Sequence, residues 1–331
     1  MKYKDLPKID LHCHLDGSVR PETIIDIARN EGITIPYYDV CNITKELTAP
    51  EECKSLEEYL KRFVVPNLVM QSIESLRRIT FELLEDCAKE NVKYIEIRFA
   101  PLLHVNKGLS ISDVIESVIS GIKDAEESYD IKANIILCCM RFMSKDKAAE
   151  VVEAGAKYIS KGVVAIDLAG AEDKGFCKKL IEPIALARKY GYRVTIHAGE
   201  TGIGKNVLDA VEILGAERIG HGIFIKDCIK AYNIVKDKKI TLEICLTSNI
   251  QTKAINLIKD HPIYDFYNDE IKVTLNTDNR TVSNTNMTKE CEILFKEFNI
   301  TFDDYKQIYI NSVNAAFADL ETKKRLRRDR K

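Results

Sequence analysis

Arg193-Val194-Thr195-Ile196-His197-Ala198-Gly199-Glu200-Thr201-Gly202-Ile203-Gly204 is an apolar run that opens into a glycine-spaced loop. Its β-branched residues suit a buried strand, and the glycines mark the turn after it. An imidazole and a carboxylate three residues apart, where such a strand ends, offer one metal ligand and one proton carrier. A catalytic divalent ion takes about three protein ligands and keeps a position open for water, so the other ligands must come from distant segments. Six histidines are available in the chain to supply them.

Outward from this stretch the same rhythm repeats. Strand-like runs occur at residues 9–14, 93–99, 133–140, 163–168, 193–196, 218–221, 240–245 and 272–276. Amphipathic segments separate them, for example Val114, Ile115, Val118, Ile119 and Ile122 in one and Val207, Ala210, Val211 and Leu214 in another. Strand and helix in alternation imply parallel pairing through right-handed crossovers, and eight such units predict an α/β fold of the TIM (β/α)8 type. Additional helices are expected between strands 1 and 2. Residues 74–90 carry Leu76, Ile79, Leu83, Leu84 and Cys87 at helical spacing, and residues 55–63 place Leu56, Tyr59, Leu60 and Phe63 behind Ser55 as N-cap. The second of these segments can either pack on the core or cover the mouth of a site. The whole of 1–331 reads as a single domain.

A barrel collects its reactive groups at the C-terminal ends of its strands. The first strand ends in His12 and His14, two apart and therefore on one face; the fifth ends in His197, the sixth in Gly220-His221-Gly222, the eighth in Thr277-Asp278-Asn279. Three imidazoles (His12, His14, His197) and the Asp278 carboxylate suit one Zn²⁺ or a similar divalent ion, which would lower the pKa of a water ligand. His221, between two glycines, is placed to take a proton from that water or to orient it. Glu200 is not needed as a ligand, and in a covered site its raised pKa would let it act as an acid toward a ring nitrogen. Taken singly, Glu200 is also compatible with a salt bridge and Asp278 with a turn cap. His104 and His261 fall outside the pattern and read as surface or packing residues, and Ser248 and Asn249 read as turn formers.

Composition removes other classes. Lys plus Arg (49) balance Asp plus Glu (51) to a net charge of −2, which gives no general attraction for nucleic acid or anionic membrane. The basic segment 323–331 reads as a solvated helix end. Ten cysteines without a Cys-x-x-Cys pair argue against a zinc ribbon or a disulfide framework. No signal peptide and no membrane span are expected, so the expected compartment is the cytoplasm and the expected partner a small molecule.

The segments Ile9-Asp10-Leu11-His12-Cys13-His14-Leu15-Asp16-Gly17-Ser18, Asp167-Leu168-Ala169-Gly170, Ile196-His197-Ala198-Gly199-Glu200, Arg218-Ile219-Gly220-His221-Gly222 and Asn276-Thr277-Asp278 together resemble, in order, the adenosine deaminase family. The resemblance implies a cytoplasmic TIM-barrel hydrolase of purine salvage, with one Zn²⁺ per chain, that converts adenosine and 2'-deoxyadenosine to the inosine nucleosides and ammonia. By matching positions it makes His12, His14, His197 and Asp278 the metal ligands, Glu200 the proton donor to purine N1 and His221 the partner of the attacking water. It implies substrate contacts from Asp16 to the ribose 5'-hydroxyl, from the Gly170 N–H to purine N3, and from His14. The signature of cytidine-type zinc deaminases, His-x-Glu with Pro-Cys-x-x-Cys, is not in the chain.

Three positions depart from the family pattern. Asn279 stands where many relatives carry Asp against purine N7, and its amide NH₂ can donate there without a proton to gain. Phe142 stands where relatives often have His, and Leu246 replaces a frequent Pro. Adenine deaminase, a sister group, would favour Glu at position 16. A two-metal hydrolase of cyclic amides would need a lysine in strand 4, which has none. An inactive binding protein on the same scaffold would not need the ligand set and Glu200, all of which are intact.

Overall fold

The computed structural model describes residues 3–329. Eight strands follow one another around a single sheet: β1 (Lys8–His14), β2 (Val92–Phe99), β3 (Lys132–Met140), β4 (Val163–Ala169), β5 (Arg193–Ala198), β6 (Arg218–His221), β7 (Thr241–Ile244) and β8 (Val273–Leu275). Every neighbouring pair is parallel. The sheet closes just past the end of β8. Cys13 bridges Asp278, the His14 N–H donates to the Asp278 carbonyl at 2.7 Å, and the Asp278 N–H donates to the His12 carbonyl at 2.8 Å.

The fold is the expected TIM barrel, and the strand limits differ from the sequence reading by a residue or two. β5 runs on to Ala198, so His197 lies within the strand and not just beyond it. β8 ends at Leu275; the Asn276 N–H still donates to the Ile244 carbonyl at 2.9 Å, and on the β1 side the Asn276 side chain fills the seam, its Oδ1 accepting from the Leu11 N–H at 2.9 Å.

Helices at Pro21–Asn30, Val40–Leu47, Leu56–Leu60 and Val64–Val69 lie between β1 and the first regular crossover helix, Ile73–Lys89. In that crossover Leu76, Ile79, Leu83, Leu84 and Cys87 are all buried, and a Ser72/Ser75 capping box starts it. The Ser55 hydroxyl caps Leu56–Leu60 by accepting from the Glu58 N–H. The basic C-terminal segment is a helix, Leu320–Asp329, that buries only Leu326, against Ile9, Leu11 and Tyr94 at the floor of the barrel. No helix of the described residues is long and apolar enough to cross a membrane.

Candidate active site

Strand alternation turns every second side chain of a barrel into its interior. Here the inward residues just below the C-terminal rim are charged. Arg98 of β2 donates to Asp167 of β4 and to Glu243 of β7, each at 2.8 Å, and Arg218 of β6 donates to Glu243 at 2.7 Å and pairs with Glu96 of β2. Three carboxylates against two guanidinium groups leave the floor of the rim electronegative. Buried ion pairs add little net stability after desolvation, but they hold their members in fixed positions.

Above that floor lie the histidines. Glu243 Oε2 is 2.8 Å from Nδ1 of His12, and Asp167 Oδ2 is 2.8 Å from Nδ1 of His197. A carboxylate at Nδ1 keeps the proton there and leaves the Nε2 lone pair free to bind a cation. The Nε2 atoms of His14 and His197 approach to 3.2 Å, and Asp278 Oδ1 lies 3.4 Å from Nε2 of both His12 and His14. Burial pushes the His14 imidazole well below its usual pKa, so it is neutral. For Asp278, burial raises the pKa, but the adjacent imidazole of His12, with those of His14 and His221, brings it below the carboxylate range.

These donors fit a divalent ion. One ligand atom from each of His12, His14, His197 and Asp278 lies within 4.8 Å of the others, and among the described residues buried His12 Nε2 has no hydrogen-bond partner. Lone pairs facing each other across so short a gap repel unless a cation stands between them. Gly220 makes the space: a Cβ there would come within 2.9 Å of His12 Cε1.

Asp278 of the cluster, at φ +61°, and His221 beside it, at φ +63°, hold left-handed backbone. For residues with a Cβ this costs on the order of 1–3 kcal/mol. At both, the strain swings the side chain toward the same point. The Ser248 hydroxyl donates to Asp278 Oδ2 at 2.5 Å, Asn249 lies 3.0 Å from His221 Nδ1, and His261 lies 3.1 Å from Asn249. The turn-former reading of Ser248 and Asn249 therefore misses their contacts. His104 and His261 are both buried, so neither is a surface residue.

Glu200 Oε2 lies 3.7 Å from His221 Nε2. Burial, then the nearby charges of Asp278 and Glu172, raises its pKa to about 8. The loop that carries it is gathered by Glu172, which accepts from the N–H groups of Gly199, Glu200 and Thr201 at 2.7, 2.9 and 3.0 Å. Arg141, at the end of β3, donates to the carbonyls of Gly170 and His197 and so ties three strand ends together.

His14, His197, Glu200, His221 and Asp278 open onto one cavity of about 350 Å³. Asp16, Gly170 and Asn279 line it, and buried Asp16 Oδ1 and Asn279 Oδ1 have no partner among the described residues. Its outer wall is apolar, from Leu56, Tyr59, Leu60 and Phe63, so the Leu56–Leu60 helix stands over the mouth. Phe142 is 73% exposed at the rim. Leu246 is buried and does not line the cavity.

Sequence reading missed Glu243, Arg98, Glu172 and the Asn249–His261 pair. For the first two a signal existed: Tyr94-Ile95-Glu96-Ile97-Arg98 and Thr241-Leu242-Glu243-Ile244 place charges at alternate positions of otherwise apolar strands. In a barrel strand that spacing points them inward.

A family profile described as Adenosine deaminase matches residues 7–329. An adenosine deaminase of Clostridium botulinum (strain 657 / Type Ba4) is 58% identical over 328 residues, 99% of each chain. Among solved structures, the adenine deaminase of Arthrobacter aurescens superposes with TM-score 0.91 at 25% identity, covering 98% of both chains. An amidohydrolase from Burkholderia ambifaria, solved with bound Zn, superposes with TM-score 0.88 at 27% identity over 98% of this chain and 90% of its own. The ligand cluster, the acid beside it and a match that runs the length of the barrel agree: the chain belongs to the adenosine deaminase family.

Proposed function

We propose that the cavity binds adenosine or 2'-deoxyadenosine and that the protein replaces the purine 6-amino group with oxygen from water, releasing ammonia and inosine or 2'-deoxyinosine. The observation that carries this is a buried carboxyl, Glu200, its pKa raised by burial, beside four converging donors that fit a divalent ion. In this proposal residues 1–331 form one catalytic domain, working in cytoplasmic purine salvage.

His12, His14, His197 and Asp278 would hold the ion, Zn²⁺ by the nature of the donors. A divalent ion bound there supplies the Lewis acidity that brings water to its nucleophilic form near neutral pH. Addition of the water oxygen to C6 pushes electron density onto N1, and Glu200 delivers its proton to that atom. His221 hydrogen-bonds the attacking oxygen from the far side. Loss of the C6–NH₂ bond, with the proton of the added hydroxyl passed to the departing nitrogen, restores the ring as the 6-oxo purine, and the proton that the water gave up on ionising re-protonates Glu200. Asp16 accepts from the ribose 5'-hydroxyl, the Gly170 N–H donates to N3, Asn279 donates to N7, and His14 borders the sugar. The wall formed by Leu56, Tyr59, Leu60 and Phe63 excludes bulk water, which strengthens each of these polar contacts.

Steady-state rates on adenosine, 2'-deoxyadenosine, adenine and AMP test the substrate. The nucleosides should lead in kcat/KM, and Asp16→Ala should raise KM for adenosine while leaving any adenine turnover unmoved. Preference for free adenine would replace the nucleoside reading with that of the sister activity, and absence of all turnover would replace it with a binding role.

A further inference from the structure

A fixed proton donor sits at the far end of the hydrogen-bonded chain that reaches His221. The backbone N–H of Ile263 donates to Nδ1 of His261 at 3.2 Å. This N–H is one of the orphan donors at the start of the Ile263–Asn268 helix, and a backbone amide can only donate. His261 Nδ1 must then be the bare nitrogen. Burial pushes the His261 pKa down to about 3, so the ring is neutral and its one proton is on Nε2.

That Nε2 lies 3.1 Å from Asn249, which must turn its carbonyl oxygen toward it. The Asn249 amide nitrogen is thereby aimed at Nδ1 of His221, 3.0 Å away, as a donor. His221 Nδ1 accepts, and a neutral His221 carries its proton on Nε2, the nitrogen that faces Glu200 Oε2 and the ligand cluster. Asn249 and His261 are 0% and 3% exposed, so water does not compete along the chain.

We propose that His261 and Asn249 are positioning residues that lock His221 in its Nε2–H tautomer, so that His221 meets the attacking oxygen as a hydrogen-bond donor. The proposal rests on the deaminase reading for its catalytic meaning, but the tautomer itself is independent of turnover. It also assigns His261 and Asn249, neither of which lines the cavity, a role in the reaction.

The test is nitrogen-15 NMR of the zinc-loaded protein with labelled histidine, the His221 signals being identified by their loss in His221→Gln. His221 should show a protonated Nε2 and a bare, hydrogen-bonded Nδ1. His261→Phe keeps a ring but removes the donor, freeing the Asn249 amide to turn over; an Nδ1–H form of His221 should appear, and kcat should fall by about tenfold or more with KM within about twofold. His261→Gln returns an N–H donor and should restore both the tautomer and kcat. A His221 protonated on Nδ1 in the unaltered protein overturns the proposal, and this arm does not depend on any variant folding. So does a tautomer unchanged in His261→Phe, whatever happens to kcat. The Nε2–H signature in a protein that turns over no nucleoside would instead count against the deaminase reading and leave the tautomer assignment standing.

Discussion

A carboxyl buried as Glu200 is keeps its proton until about pH 8, because the charged form loses its hydration and faces the negative charges of Asp278 and Glu172. In the proposed reaction the proton-bearing form is the active one, so kcat should decline as pH rises through the Glu200 pKa. The limb should lie at or below about 8, since a cation at the cluster offsets the Asp278 contribution. Glu200→Gln should lower kcat by about 100- to 10,000-fold, abolish that limb and leave metal content unchanged. A variant with near-normal turnover would remove Glu200 from the chemistry. Glu200 and His197 are legible in the sequence because both follow directly from an apolar run, where a barrel strand must end. Ser248, Asn249 and His261 are not legible in the same way. Short polar residues after a strand are the ordinary mark of a turn, and what gives these their role is contact with Asp278 and His221, far away in the chain.

The strands and their rim loops decide whether such residues can meet. Gly220 pairs with His197 on one side and with Glu243 on the other, and it contributes no side chain to a layer already filled by the His12 ring. Gly220→Ala should therefore displace His12, lowering bound metal and activity together; metal analysis of the purified variant checks this, and full occupancy would show that the layer can give way. The existence and type of the eight strands were readable from apolar runs separated by helical periodicity. The end of β8 was not, because on the β1 side the Asn276 side chain stands in for backbone pairing. Nor was the clamp of Glu172 on the Gly199–Thr201 backbone readable, since a carboxylate shows nothing in sequence of the N–H groups it will face.

Over the whole molecule, β1, β5, β6 and the segment after β8 deliver their end residues to one rim, while the helices after β1 wall the cavity above it. The fold class and the convergence of His12, His14, His197 and Asp278 were legible because a closed barrel brings all its strand ends to one face, whatever their separation along the chain. The charged interior was harder to foresee, because barrel interiors are more often filled with branched apolar side chains. Anomalous diffraction at the zinc edge from crystals of the zinc-loaded protein tests the convergence most directly. The result expected is a single strong peak bounded by Nε2 of His12, His14 and His197 and by a carboxylate oxygen of Asp278, with Glu200 adjacent but outside the ligand set. No peak there, or an ion held by other residues, would contradict it.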